Sequence, residues 1–252
     1  MAAVRVEVVD HVATITFDLP AGRFDRDALD QLAAAAAEVG GDTEHVYAVV
    51  VTSSGTGFAA GWTEAALSEP LVTGLPPLGA AFDAVAAIPQ PVVAAVSGTV
   101  ESAGLELALA CDIRIADQSA RFAMPETGLG MVPRGGGTQR LPRAIGRAQA
   151  LHLLLTGESI DAAEALRIGL VSSVVAESEL AAAANAVATT IASRGPIATR
   201  LAKEAVVRGS EVPLAQGLQT ELDLTVILQT TEDRAEGVRA FIEKRPPQFK
   251  NQ

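Results

Sequence analysis

Apolar positions in this chain change period several times, and each change marks an element. Val4, Val6 and Val8 alternate with polar neighbours, and beyond Asp10-His11 a second alternation sets Ala13, Ile15 and Phe17 against Val12, Thr14 and Thr16. Two period-2 runs joined by a two-residue turn predict a β-hairpin. Over residues 25–39 the spacing becomes helical in an alanine-rich stretch that Gly40-Gly41 closes. Residues 46–52 are apolar enough for a buried strand, which runs into a glycine-containing loop over 53–61. The stretch 91–126 organises the rest. Within it, 92–96 carries no charge and predicts a buried strand, Ser97-Gly98-Thr99 and Ser102-Ala103-Gly104 predict turns, 105–111 a short helix and 112–116 a second strand.

Further on, 139–155 and 162–168 read as helices and 170–175 as a short strand. From residue 179 the pattern is helical to the end, over 180–193, 197–208, 214–228 and 232–243, with Gly195-Pro196 the clearest break. The repeated strand–strand–helix order predicts an α/β protein of ββα turns with sheets stacked around one core, although periodicity alone also admits a doubly wound sheet. Leu214, Leu218, Leu222 and Val226 form a stripe at helical spacing. Its plainest reading is a helix face packed on the chain's own core.

Composition narrows the class. Of 252 residues 49% are hydrophobic and 19% charged, which fits a packed globular chain rather than a disordered one. Only 4% are aromatic, so small aliphatic side chains must fill most of the core. A net charge of −11 disfavours nonspecific binding to nucleic acid or an anionic membrane while leaving room for a local basic pocket. The single cysteine, Cys111, can make no internal disulfide and reads as a small buried residue. Met1-Ala2-Ala3 leads into a strand-like pattern rather than a leader, and no apolar run approaches the roughly 20 residues that span a bilayer. A soluble, cytoplasmic protein is the expectation.

The inventory of reactive side chains excludes several chemistries. His11, His45 and His152 are the only histidines, none in a glycine-flanked setting, and no nucleophile elbow is present. With Cys111 they are too dispersed for a zinc site. Gly135-Gly136-Gly137 lacks the Lys-Ser/Thr ending of a phosphate loop and reads as a tight turn into a helix. Two glutamates stand out. Glu106 lies in the first turn of the predicted helix, where small residues leave backbone N–H groups free for a ligand oxygen, and Glu126 follows Pro125 in a loop. Brought together, they would make an acid/base pair beside an oxyanion hole. By residue type alone, Glu106 reads equally as an acid favoured by the helix dipole and Glu126 as a solvated charge.

The motifs go further. SGTVESAGLELALACDIRIAD, followed by ARFAMPETGLGMVPRGGGTQRLPRAIG, closely resembles the signature region of the enoyl-CoA hydratase/isomerase (crotonase) family, and FAAGW and AFIEKRPPQFK match it as well. The resemblance implies a crotonase-like superhelix of ββα turns. It divides the chain into a core over 1–194 carrying the acyl-CoA site and a helical region over 195–252 for oligomer contacts. It also implies hydration of a 2-enoyl-CoA to a 3-hydroxyacyl-CoA, with Glu106 activating water, Glu126 protonating C2, and the N–H groups of Trp62 and Ala103 holding the thioester oxygen. Gly22, Arg23, Ala60, Gly61 and Gly104, with Phe241 and Lys244 from a neighbouring subunit, are the implied substrate and coenzyme A contacts. No separate cofactor or metal is implied, coenzyme A being part of the substrate, and the implied assembly is a homotrimer or hexamer.

Three positions depart from the family pattern. Ala103 stands where glycine is usual, so donation through it requires backbone angles that suit an L-residue. Thr63 stands where aspartate often follows the first donor, and LPAGRFDRDAL lacks the usual Asn-Ala-Leu. Two alternatives follow: a 3,2-enoyl-CoA isomerase using one glutamate, and an acyl-CoA-binding relative with little turnover, motivated by Ala103 and by a bulky Trp62 at the entrance to the site.

Overall fold

The computed structural model describes residues 3–69 and 77–252. Its chain coils in successive turns, each laying one strand in a large sheet and the next in a smaller layer. The hairpin of β1 (Val4–Val9) and β2 (Val12–Phe17) leads through β3 (Arg23–Phe24) to α1 (Arg26–Gly41). The second turn is β4 (Ala48–Ser53), β5 (Gly61–Trp62), α2 (Glu64–Ser68) and α3 (Ala80–Ala86). The third is β6 (Val92–Val96), β7 (Thr99–Glu101) and α4 (Ala103–Ala110). The fourth is β8 (Ile113–Asp117), β9 (Arg121–Ala123), a 3-10 turn at Pro125–Leu129, α5 (Gly137–Ile145) and α6 (Arg147–Thr156). After β10 (Ile160–Asp161), α7 (Ala162–Arg167) and β11 (Ser173–Val175) come α8 (Leu180–Ala192), α9 (Pro196–Gly209), α10 (Leu214–Leu228) and α11 (Glu232–Glu243).

The large sheet has the order β1-β2-β4-β6-β8-β11, antiparallel only at its hairpin edge. The second layer consists of β10-β9-β7 and β3-β5, joined by a bridge between Ala59 and Val100. This is the superhelix of ββα turns rather than a doubly wound sheet. Strands β4 and β6 read as continuous apolar runs because both faces are covered. Val49, Val51, Val92, Ala94 and Val96 point into the main core, while Ala48, Val50, Val93 and Ala95 meet Leu180, Ala184 and Ala188 on α8. Each valine so buried contributes about 1.5–3 kcal/mol, and the alanines let α8 lie close to the sheet.

Most of the scarce aromatic residues stack in one array. Phe58 meets Phe17 (ring centroids 5.0 Å apart), Phe17 meets Phe24 (5.5 Å), Phe24 meets Phe82 (5.7 Å) and Phe82 meets Trp62 (5.6 Å). The array joins β2, β3, β5 and α3, and so stiffens the floor beneath the segment 58–62.

Several expected boundaries move for identifiable reasons. The Asp10-His11 turn has φ of 48° and 66°, the left-handed pair that suits the twist of a tight hairpin. Gly40 and Gly41 are the last two residues of α1, which ends at the glycine pair as its spacing predicts. Gln90, fully buried, closes that helix by donating from Nε2 to the carbonyls of Val39, Asp42 and Val46. The helix read over 139–155 is two helices, broken at Gly146 with φ 78°. Strand β7 lies between and overlaps segments read as turns, and β9, also of three residues, lies where the pattern predicts no element. The bounds of α10 and α11 coincide with the sequence reading, but the stripe Leu214, Leu218, Leu222, Val226 faces outward and is exposed. The reading that it packs on the chain's own core is therefore overturned. Among the described residues no helix is long and apolar enough to cross a membrane.

Candidate active site

The centre of the molecule is the start of α4. Ser102 turns the chain from β7 into the helix with φ 51° and ψ −120°, a conformation that costs a non-glycine residue about 1–3 kcal/mol. It is pinned on both sides: its N–H donates to the Ala123 carbonyl (3.0 Å) and its carbonyl accepts from the Glu106 N–H (2.9 Å). The strain thus falls on Ser102, while Ala103 begins the helix with backbone angles natural to an L-residue. The condition set by alanine at position 103 is met. Its N–H, first in the helix, has no intrahelical acceptor.

Beside it runs the segment 59–63. Ala60 N–H donates to the Gly22 carbonyl (2.6 Å) and Thr63 N–H to the Phe24 carbonyl (2.9 Å). Gly61 has φ 118°, and a Cβ there would lie 3.1 Å from the Ser102 Cβ. A Cβ on Gly104 would sit 2.2 Å from the Ala59 carbonyl oxygen. Only glycine at 104 lets the helix start come this close, which sets the Trp62 strand alongside the Ala103 N–H. The indole of Trp62 is 3% exposed and packs on Phe82. It belongs to the aromatic floor rather than to the entrance, which removes the steric motive for a binding-only protein. Arg23 reaches over from β3 to donate from Nη1 to the Trp62 carbonyl (3.1 Å).

Glu106 is 0% and Glu126 3% exposed, so Glu126 is not the solvated charge that its residue type allowed, and Glu106 is more than a surface acid at a helix start. Oε1 of Glu106 accepts from the backbone N–H of Gly135 (2.7 Å) and Gly137 (2.9 Å). Its Oε2 and both carboxyl oxygens of Glu126 are buried without a hydrogen-bond partner among the described residues. Buried polar atoms are nearly always paired, so three such oxygens in one place mark a site built for a polar ligand. Desolvation pushes the Glu106 carboxyl up to about 7; the Gly137 and Gly135 N–H groups oppose the rise, nearby Glu126 adds to it, and Arg140 opposes it. A carboxyl balanced near neutrality suits general acid–base work.

The spacing of Gly135-Gly136-Gly137 predicts a tight turn into a helix, and the family resemblance adds that the segment shapes the acyl pocket. Its N–H groups form an anion-binding concavity at the start of α5, filled by a side chain of the same protein. The available signal was three glycines at a helix start with no side-chain cap, a pattern that leaves donors facing one acceptor.

Between Leu19, Gly22, Ser53, Thr56, Ala60 and Thr99 lies a cleft of about 340 Å³. Gly22 and Ala60 both line it, with exposed Arg23 beside them. Phe241, 84% exposed, and Lys244, which ends α11 at φ 53°, are not among its lining residues.

The fold and the paired glutamates define an acyl-thioester enzyme of the crotonase type, and the chain belongs to the enoyl-CoA hydratase/isomerase family, whose profile matches residues 7–252. It is 43% identical to a probable enoyl-CoA hydratase of Mycobacterium leprae (strain TN), over 98% of this chain and 97% of that protein. It is 38% identical to the short-chain-enoyl-CoA hydratase of Clostridium acetobutylicum, over 98% of each. Among solved structures, an enoyl-CoA hydratase from Bacillus anthracis superposes with a TM-score of 0.93 at 37% identity, covering 99% of this chain and 100% of that one. The hydratases among these relatives are hydro-lyases.

Proposed function

We propose that the protein hydrates 2-enoyl-CoA thioesters to 3-hydroxyacyl-CoA, using Glu106 and Glu126 together. The observation that carries this is the pair of buried carboxyls with three unpartnered oxygens beside the start of α4. The thioester oxygen accepts from the Trp62 and Ala103 N–H groups, which draw electron density out of the double bond. Glu106, in its carboxylate form, takes a proton from water through Oε2 as the water oxygen bonds to C3. The π electrons move to the thioester as an enolate, and Glu126 delivers its proton to C2. The proton gained by Glu106 returns to the pair, and the two N–H donors release the product oxygen. Losing one such donor typically raises the barrier by about 3–4 kcal/mol.

In this reading the cleft at Gly22 and Ala60 takes the coenzyme A arm, with Gly61 allowing close approach. Residues 195–252 form subunit contacts in a trimer or hexamer, where Phe241 and Lys244 reach the coenzyme A of a neighbour. Two buried carboxyls support hydration over isomerisation, which needs one. The test is to incubate purified protein with crotonyl-CoA and longer 2-enoyl-CoAs, following loss of the conjugated absorbance and identifying the product. A 3-hydroxyacyl-CoA is expected, and a migrated double bond without oxygen incorporation would overturn the reading. Activity that survives the double change Glu106→Gln, Glu126→Gln would overturn the mechanism.

A further inference from the structure

Arg140, in the first turns of α5, touches neither carboxyl, yet its side chain joins three parts of the site. Its Nη1 donates to the Gly135 carbonyl (2.8 Å), and its Nη2 pairs with Asp83 Oδ1 on α3 (2.6 Å). A Cβ on Gly136, which has φ 102°, would lie 2.4 Å from Nη1, so the guanidinium lies directly over the middle of the glycine run. A Cβ on Gly135 would collide with the Phe82 ring at 2.6 Å and with Glu106 Oε2 at 2.8 Å. The run is thus held between Arg140 on one side and Phe82 and Glu106 on the other. Along it the Gly135 carbonyl points to Arg140, whereas the N–H groups of Gly135 and Gly137 point to Glu106.

We propose that Arg140 is a positioning residue for Glu106: anchored on Asp83, it grips the Gly135 carbonyl and thereby turns the flanking N–H groups onto the Glu106 carboxylate. The proposal rests on the reading of Glu106 as the group that activates water. Two effects follow. The grip keeps Oε1 occupied by backbone donors, so Oε2 alone is left to face the substrate water. The guanidinium charge also favours the ionised form of Glu106 against burial. Asp83 neutralises part of the Arg140 charge; further charged groups on neighbouring segments are Glu101 on β7 and Arg134, whose Nη1 donates to the Leu67 carbonyl.

The experiment compares Arg140→Gln, Arg140→Lys and Asp83→Asn with the unaltered protein, reading kcat and KM on crotonyl-CoA across pH. It also reads the titration of Glu106 without substrate, as the carboxylate infrared band lost in Glu106→Gln. Arg140→Gln is expected to lower kcat about 10- to 100-fold with KM within about threefold. It should move the Glu106 midpoint and the acid limb of kcat up by about one pH unit. Arg140→Lys, which keeps the charge but not the fork, should lower kcat with the midpoint close to its original position. Asp83 is largely exposed, so Asp83→Asn tests the arrangement even if Arg140→Gln does not fold. It should lower kcat modestly while leaving the midpoint at or below its starting value, since it removes a negative charge. General loosening of the loop would instead move the midpoint the same way in every variant, and that result, or an unchanged midpoint in Arg140→Gln, overturns the proposal. The infrared titration needs no turnover, so absence of hydratase activity would sink the reading of Glu106 while leaving this arrangement tested on its own.

Discussion

At the scale of single residues, function and stability pull on Glu106 in opposite directions. Its folded-state carboxyl lies near 7, above the unfolded value of about 4.5, so burial favours the protonated form. The stabilising difference is fully present below about pH 4.5 and is lost as pH rises through about 7. Glu106→Gln keeps an oxygen for the Gly135 and Gly137 N–H groups and removes the buried charge. It should therefore stabilise the protein by up to about 3 kcal/mol at pH 8, and by almost nothing near pH 4.5. Denaturant unfolding at the two pH values measures this, and equal effects at both would show that the site is not desolvated. The same variant should lose at least about a hundredfold in kcat. In the unaltered protein, kcat/KM should climb with pH to a midpoint near 7 as Glu106 ionises. A flat profile between about pH 5 and 9 would remove Glu106 from the role of base. Residue type could not reveal this pair, because burial is what separates Glu106 and Glu126 from the surface acids of a chain with net charge −11. Motif resemblance picked them out, but not Gly135, Gly137 or Arg140, whose roles depend on backbone directions that spacing does not encode.

At the scale of elements, the donor arrangement is a compromise held by tight packing. Ser102 carries the left-handed turn that aims the start of α4, and glycine would adopt it without strain. Ser102→Gly should raise stability by about 1 kcal/mol, seen as a higher melting temperature, whereas a lower one would show that the serine side chain contributes more than its backbone strain removes. Gly104→Ala has no room for its methyl group, which would meet the Ala59 carbonyl at 2.2 Å. It should force α4 away from the Trp62 strand and lower activity by about a hundredfold or more, the scale of a lost oxyanion donor. Alanine tolerated at 104 with full activity would mean that the two donor segments need not touch. Elements with a long, single period were legible: the hairpin, β6, α10 and α11 all lie where the apolar pattern puts them. Strands β7 and β9 were not, because three residues are too few to show alternation and both are defined by pairing across sequence. The glycine pair marks the end of α1, but the support that Gln90 gives it from far along the chain is not legible in local spacing.

At the scale of the whole molecule, the C-terminal helices look unfinished in one chain. Helix α10 has fifteen residues and fully buries only Leu224, while Leu214, Leu218, Leu222, Val226 and Ile227 face outward. Val206 on α9 and Phe241 and Ile242 on α11 add to the exposed apolar surface. A helix of this length gains little from its own hydrogen bonds in water, and contiguous apolar patches of this extent are uncommon on monomers. The trimer or hexamer proposed from the family resemblance would cover this surface; light scattering at micromolar concentration should then give the mass of three or six chains, and a dominant species at 25.8 kDa would sink the assembly. Leu218→Glu combined with Leu222→Glu places two charges on the outward stripe, which should break the assembly while leaving the far-ultraviolet signature of the core intact. Lys244 separates contact from catalysis. It ends α11 in a left-handed conformation, exposed, next to Phe241 and Ile242. Lys244→Ala should weaken coenzyme A binding about tenfold in calorimetry, consistent with one lost charge-assisted contact, without changing the assembled mass. Loss of assembly in that variant would make Lys244 a subunit contact, and unchanged affinity would remove it from the coenzyme A site.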